Sequence, residues 1–244
     1  MRFFALIALV LLGACAPKPP PACRDASFEG SRFTVCTIDT GHYDLRMMTA
    51  DRKGAPLRSL HAARKALGSR ARRVAFAMNA GMFDDAGAPI GLYVENGKTL
   101  KPANTREGPG NFHLLPNGIF SVDSDGVVHA ETTPAFLARD AKPAWATQSG
   151  PMLVIDGVLH PALQDDGPSR LVRNGVGVRG ARIAVFVISD EPVSFGRLAR
   201  FFRDDLGCPN ALFLDGTVSS LWAPELGRDD GSSPLGPMVV ALRK

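Results

Sequence analysis

Four Asx-Gly pairs, Asn96-Gly97, Asn117-Gly118, Asp125-Gly126 and Asp156-Gly157, punctuate short apolar runs between residues 90 and 160. Asn and Asp tolerate a left-handed backbone and glycine adopts one freely. Such pairs therefore suit two-residue turns whose twist matches that of paired strands. A chain interrupted this often cannot run long helices there and is expected to fold into hairpins. The first two pairs would join IGLYVE to KTL and FHLL to IFSV. Residues 32–38 and 43–49 alternate like a half-buried pair meeting near Gly41, and 176–179 faces 182–188 across Gly180. Helical spacing is confined to two segments. Residues 56–69 carry Leu57, Leu60, Ala63 and Leu67, with Pro56 suited to a first turn; residues 194–206 have Ser194 as N-cap and Gly207 as stop. Apolar strands at 73–78 and 211–214 run into Asn79-Ala80-Gly81 and Asp215, and 238–242 is a final strand. The expected fold class is α+β: a single domain with a strand-rich mixed sheet, hairpins and a few flanking helices.

The start of the chain belongs to no core. Arg2 precedes an unbroken apolar run, residues 3–14, shorter than the roughly 20 residues that span a bilayer. It reads as a signal peptide, 1–14. It ends Leu12-Gly13-Ala14-Cys15, which resembles a bacterial lipobox with Cys15 as the lipidation site. Residues 15–22 are proline-rich and read as an extended tether, leaving 23–244 as the domain. Ala16, not an acid, follows the cysteine, so the expected location is the periplasmic face of the outer membrane, with a lipid anchor as the only membrane contact. An oxidising envelope compartment permits disulfides. Cys23 with Cys36 is the preferred pair, closing a short loop, and Cys208 is then a buried free thiol. A formal charge of +4 is too small and scattered for a nucleic-acid footprint. No CxxC pair or His-rich helix suggests a metal site, and no cofactor is implied.

Four segments break the core pattern with small and polar residues at strand ends: 79–84, 147–151, 169–177 and 215–220. Together they offer amides, hydroxyls, two guanidinium groups and a carboxylate, the groups a sugar phosphate needs. Amides fork to sugar hydroxyls, arginines bind phosphate through two parallel bonds, and a carboxylate can act at an anomeric carbon. Asp215, Arg173 and Arg170 are the candidate catalytic residues; the arginines, three apart, would share a face only in a helical or turn conformation. Asn79, Gly81, Gln148, Ser149, Gly150, Asn174, Gly216 and Ser219 are the candidate substrate-binding residues. Asp84, Asp190 and Glu191 compete for the place of a second carboxylate, whereas Asp165 and Asp166 lie in a polar loop. His113 and His160 read first as hydrogen-bonded structural residues, and Trp222 suits packing as well as sugar stacking.

The blocks NAGMF (79–83), IGLYVENGK (90–98), TREGPGNFHLLPNGIF (105–120), TQSGPMLVIDGVLHP (147–161), SRLVRNGVGV (169–178) and LFLDGTVSSLW (212–222), in this order, resemble the phosphodiester glycosidase family. The resemblance runs from about Phe33 to Val240 and is nearest to the bacterial envelope branch. It implies hydrolysis of the glycosidic bond in a sugar-1-phosphodiester, of N-acetylglucosamine or another envelope sugar. Ala80, Thr217 and Val218 stand where the animal branch carries glycine. The alternative is a non-catalytic envelope lipoprotein that binds or assembles a glycan. A third reading, P–O cleavage, usually needs metal clusters or a strong nucleophile.

Overall fold

The structure, a computed structural model, describes residues 21–231 and 234–244. The signal segment 1–14, Cys15 and the tether up to residue 20 lie outside the described residues. Among the described residues seventeen strands form three sheets in which every pairing is antiparallel. The first sheet runs, in spatial order, β1 (Cys23–Phe28), β2 (Ser31–Asp39), β13 (Ile183–Ser189), β12 (Asn174–Arg179), β14 (Asn210–Asp215), β10 (Met152–Ile155) and β11 (Val158–Leu159). The second is β16 (Arg228–Asp229), β15 (Leu221–Ala223), β4 (Val74–Asn79), β17 (Met238–Arg243) and β3 (Tyr43–Met48). The third is β6 (Lys98–Lys101), β5 (Tyr93–Glu95), β9 (Trp145–Ser149), β7 (Gly118–Val122) and β8 (Val128–Thr132). The strand-rich α+β class is as expected, but in place of one mixed sheet the strands form these three antiparallel sheets.

Successive strand residues point to opposite faces, and here each sheet buries both. Phe76 from the second sheet, Phe120 from the third and Phe186 from the first meet at the centre of one shared core. The Phe186 ring lies 5.0 Å from Phe76 and 5.4 Å from Phe120, centroid to centroid. Full burial of each such side chain contributes about 1.5–3 kcal/mol. The outer faces are covered by helices. Helix α1 (Leu60–Leu67) places Leu60, Ala63 and Leu67 against Val74, Ala77 and Val240. Helix α2 (Thr133–Ala138) sets Phe136 on Ile119 and Ala146. Helix α3 (Phe195–Arg200), extended by a π turn through Asp205, sets Leu198 and Phe201 on Phe33, Val185 and Phe213.

Local signals decide the ends. Ser194 Oγ accepts from Arg197 N at 3.1 Å, capping α3, and Gly207 follows it at φ 63°. Helix α1 starts after a Ser59 cap and not with Pro56 in its first turn, because residues 50 and 56 are held in a strand bridge. Asn96-Gly97 and Asp156-Gly157 turn as expected, with positive φ at all four residues. Asn117-Gly118 does not turn. Asn117 is buried, its amide donating to Phe112 O at 3.0 Å and accepting from Thr133 Oγ1 at 2.7 Å. Gly118 opens β7 because Met152 and the Glu131 carbonyl fill the space a side chain would need. Nor do 32–38 and 43–49 pair: β2 lies between β1 and β13, while β3 is the edge of the second sheet on β17. Cys23 and Cys36, opposite each other in the β1–β2 register, are disulfide-bonded, and Cys208 is a buried free thiol. Among the described residues no helix is long and apolar enough to cross a membrane.

Candidate active site

Strand ends from all three sheets are laced together at one place. Asn79 ends β4, Ser149 ends β9, and Asn174 and Asp215 are opposed at the ends of β12 and β14. Asn174 Nδ2 donates to Asn79 O at 2.9 Å and Asn79 Oδ1 at 3.1 Å, and Ser220 N donates to the same Oδ1 at 2.8 Å. Two donors on Oδ1 fix the amide orientation and leave the buried Asn79 Nδ2 without an acceptor among the described residues. Ser149 Oγ donates to Leu214 O at 2.8 Å, tying β9 to the residue before Asp215. Ser219 Oγ donates to Val172 O at 2.9 Å. These bonds spend most of the polar capacity predicted for substrate on holding the strand ends in register.

Asp215 is the exception. It is 7% exposed, on the wall of a cleft of about 570 Å³. Its Oδ1 accepts from Gly216 N and Thr217 N, both at 2.6 Å, and from Val218 N at 3.3 Å. Among the described residues Oδ2 has no protein partner. Burial pushes this carboxyl above the usual carboxylate range, and the three backbone N–H groups only partly offset the shift. The turn thus fixes one oxygen and leaves the other for chemistry. Gly216, Thr217 and Val218 line the same cleft, whereas Ala80, grouped with Thr217 and Val218 in the sequence, is buried and does not. The cleft is also lined by the 82–90 hairpin, with Met82, Phe83, Asp84 and Asp85, together with Arg58.

The other predicted residues take different places. Arg173 is fully buried behind Asp215, with Cζ 3.6 Å from the Phe195 centroid and 5.3 Å from that of Phe213. Its Nε donates to Val193 O at 2.9 Å and its Nη2 to Ser169 O at 3.0 Å and Ser169 Oγ at 2.9 Å, while Nη1 has no hydrogen-bond partner among the described residues. That Nη1 lies 3.2 Å from where a Cβ on Gly216 would sit, so Arg173 supports the Asp215 turn from beneath instead of lining the cleft. Burial lowers its pKa to about 10, so it stays charged at neutral pH. Arg170 is exposed and paired with Asp166. The 169–173 segment is irregular, so the two arginines do not share a face.

Gln148 is fully occupied: Oε1 accepts from Leu92 N at 2.9 Å and Asn104 N at 2.8 Å, and Nε2 donates to Asn104 O at 2.8 Å and Thr133 Oγ1 at 3.0 Å. It clasps two loops and has no bond left for a ligand. Gly81 lies against β9, its N–H on Thr147 Oγ1 at 3.2 Å. Gly150 packs on Asn117 and the Phe112 carbonyl. What approaches these two glycines is protein, not substrate.

Of the acids weighed as second carboxylates, Asp190 pairs with Arg228 at 2.6 Å and Glu191 caps Arg32 N at 2.8 Å, whereas Asp84 and the neighbouring Asp85 line the cleft. His113 bonds the Arg106 carbonyl at 2.8 Å, and burial lowers the pKa of His160. Trp222 packs in the core against α1. Among the described residues no three His, Cys, Asp or Glu side chains are placed to hold a metal. Sequence reasoning missed Arg58, which its periodicity assigned to a helix. The residue before the Ser59 cap has φ 55°, a conformation that no sequence pattern there announces.

A family model described as NAGPA: Phosphodiester glycosidase matches residues 72–236. The chain is 32% identical, over 218 residues, to the Uncharacterized protein YigE of Escherichia coli (strain K12), covering 88% of this chain and 83% of that one. Its fold is like the catalytic domain of zebrafish N-acetylglucosamine-1-phosphodiester alpha-N-acetylglucosaminidase, auto-inhibited by its pro-peptide. The TM-score is 0.61 at 14% identity, over 91% of this chain and 81% of that chain. A hypothetical protein from Synechocystis matches with a TM-score of 0.54 at 17% identity, over 91% and 61% of the respective chains.

Proposed function

The chain belongs to the phosphodiester glycosidase family, and from that premise we propose that it hydrolyses the glycosidic bond of a sugar-1-phosphodiester in the cleft beside Asp215. The observation that carries this reading is Asp215 itself: a buried carboxyl on a cleft wall, with one oxygen pinned by three backbone N–H groups and the other without a partner among the described residues. The anomeric C–O bond would break, its electron pair leaving with the phosphate oxygen, and water would supply the hydroxyl to the sugar and a proton to the medium. A phosphate is a good leaving group, so little protonation is required of the protein. The larger need is negative charge near the oxocarbenium-like transition state. Asp215 Oδ2 meets that need, and a carboxylate of raised pKa is also a better base toward water. Arg173 acts as a positioning residue, holding the Asp215-Gly216 turn.

The zebrafish enzyme's printed substrate makes an N-acetylglucosamine phosphodiester the first compound to try. Free sugar would be assayed from N-acetylglucosamine-phospho-alkyl diester with wild type and Asp215→Asn. Release by wild type, lost in a folded mutant, is the expected result. Equal release by the mutant would refute the role of Asp215. Ligand binding without turnover of several sugar phosphodiesters would favour the glycan-binding alternative. We further propose, on residues 1–22, that Cys15 is lipidated and that the tether holds the domain at the periplasmic face of the outer membrane. Cys15→Ala should then move the protein from the membrane fraction to the soluble fraction.

A further inference from the structure

Arg58 is the only cation among the described residues that line the Asp215 cleft. No described carboxylate pairs with it. Among the described residues its Nη2 reaches only the Asp85 carbonyl, at a long 3.4 Å, and its Nη1 is buried with no acceptor. Packing, not ion pairing, holds the guanidinium in place. It lies over the Phe83 ring, 5.6 Å from the centroid, and fills the notch left by the absent side chain of Gly87, where a Cβ would collide with Nη1. The backbone of Arg58 is itself left-handed, φ 55°, uncommon for a residue with a side chain. Such an outlier persists where its surroundings fix it, and functional sites are where these collect. The carbonyl of Arg58 accepts from Leu235 N at 2.9 Å, which anchors the residue from the far side.

Nη1 is taken up by packing under Gly87, but Nη2, held by one long bond, sits on a residue that lines the same cleft as Asp215, and a guanidinium donor of this kind suits an anionic oxygen. We infer that Arg58 binds the phosphodiester group of the substrate, so that the sugar lies toward Asp215 and the phosphate toward the 82–90 hairpin. This rests on the glycosidase reading and deepens it. It identifies Arg58 as the group that distinguishes a sugar phosphate from an uncharged glycoside, a task neither Arg170 nor Arg173 can perform from its position.

The test is an NMR titration of the ¹⁵N-labelled protein with dimethyl phosphate, a phosphodiester without a sugar. Wild type should show amide shifts at residues 85–88 and 216–218. Arg58→Met keeps the stem on Phe83 and removes the charge; it should weaken the apparent Kd by about 10- to 100-fold, with Arg58→Lys between the two. Equal binding by Arg58→Met, shifts elsewhere, or no binding by wild type would overturn the inference. If Arg58 only props the hairpin, Arg58→Met would shift the ligand-free spectrum of residues 82–90 and leave the Kd as it was. Turnover separates this inference from the reading beneath it. Probe binding through Arg58 with no sugar release would sink the glycosidase reading alone. Sugar release with an unchanged KM in Arg58→Met would sink the Arg58 assignment alone.

Discussion

Replacing Gly81 by alanine should damage both stability and turnover, and the geometry indicates by how much. A Cβ at this position would fall inside 3.0 Å of both the Gln148 carbonyl oxygen and Thr147 Oγ1, with the Gln148 carbonyl carbon at 3.2 Å. That is roughly 1 Å inside normal contact, so one side must move. Strand β9 cannot yield easily, because Gln148 is held by four side-chain hydrogen bonds and Ser149 by the bond to Leu214 O. The displacement therefore falls on residues 81–83, which run directly into the cleft wall. Overpacking of this kind costs about 1–3 kcal/mol, a fall in Tm of about 2–12 °C for a chain of this size. A wall displaced by about 1 Å lowers turnover by about 100-fold. Thermal melts and the sugar-release assay would measure both. Gly231→Ala, at a position with open space around it, is the control. A Gly81→Ala protein that melts and turns over like wild type would refute the claim that this contact is rigid.

Removing the Cys23–Cys36 disulfide, whose sequence separation is 13, should cost about 3 kcal/mol by loop entropy, read from urea unfolding of the double alanine variant. A much smaller loss would mean that the β1–β2 hairpin persists in the unfolded chain. For Asp215 the raised folded pKa means that the native state retains a proton the unfolded chain has released. Its contribution to stability is present below the ordinary carboxylate pKa and is lost as pH rises through the raised value. Asp215→Asn should therefore gain stability relative to wild type with rising pH, seen in urea midpoints, while sugar release is abolished. Arg173→Met should remain folded, within about 1 kcal/mol of wild type, since it removes a buried charge that has no counterion and leaves no new buried orphan. Its turnover should fall as the Asp215 turn loses its support, and retention of full kcat would refute the positioning role.

How much of this was legible in the sequence depends on whether a signal was local. The Ser194 cap, the Gly207 stop, the Asn96-Gly97 turn and the delivery of Asp215 by an apolar strand all rest on neighbouring residues and were readable. The partners of β2 and β3 were not, although a trace lay in the pattern. Phe33 and Val35 face the helix side of the first sheet and Cys36 and Ile38 its core side, as in a central strand. In β3 only Tyr43, Leu45 and Met47 are buried, as on an edge. The roles of the site residues depended on distant contacts. Gln148 looks the same in sequence whether its amide meets a sugar or Asn104 and Thr133. Arg170 and Arg173 differ only in that one finds Asp166 at the surface and the other finds Phe195 inside. Arg58 belonged to no polar cluster and was brought to the cleft by the fold alone.

The lacing of Asn79, Ser149 and Asn174 joins three sheets at one point, and this bears on how the molecule opens. With no sheet able to let go of its strand end without breaking bonds to the others, partial unfolding near the cleft should be as rare as global unfolding. A ligand seated there would then slow amide exchange across all three sheets, spreading the protection of one small pocket through the whole domain.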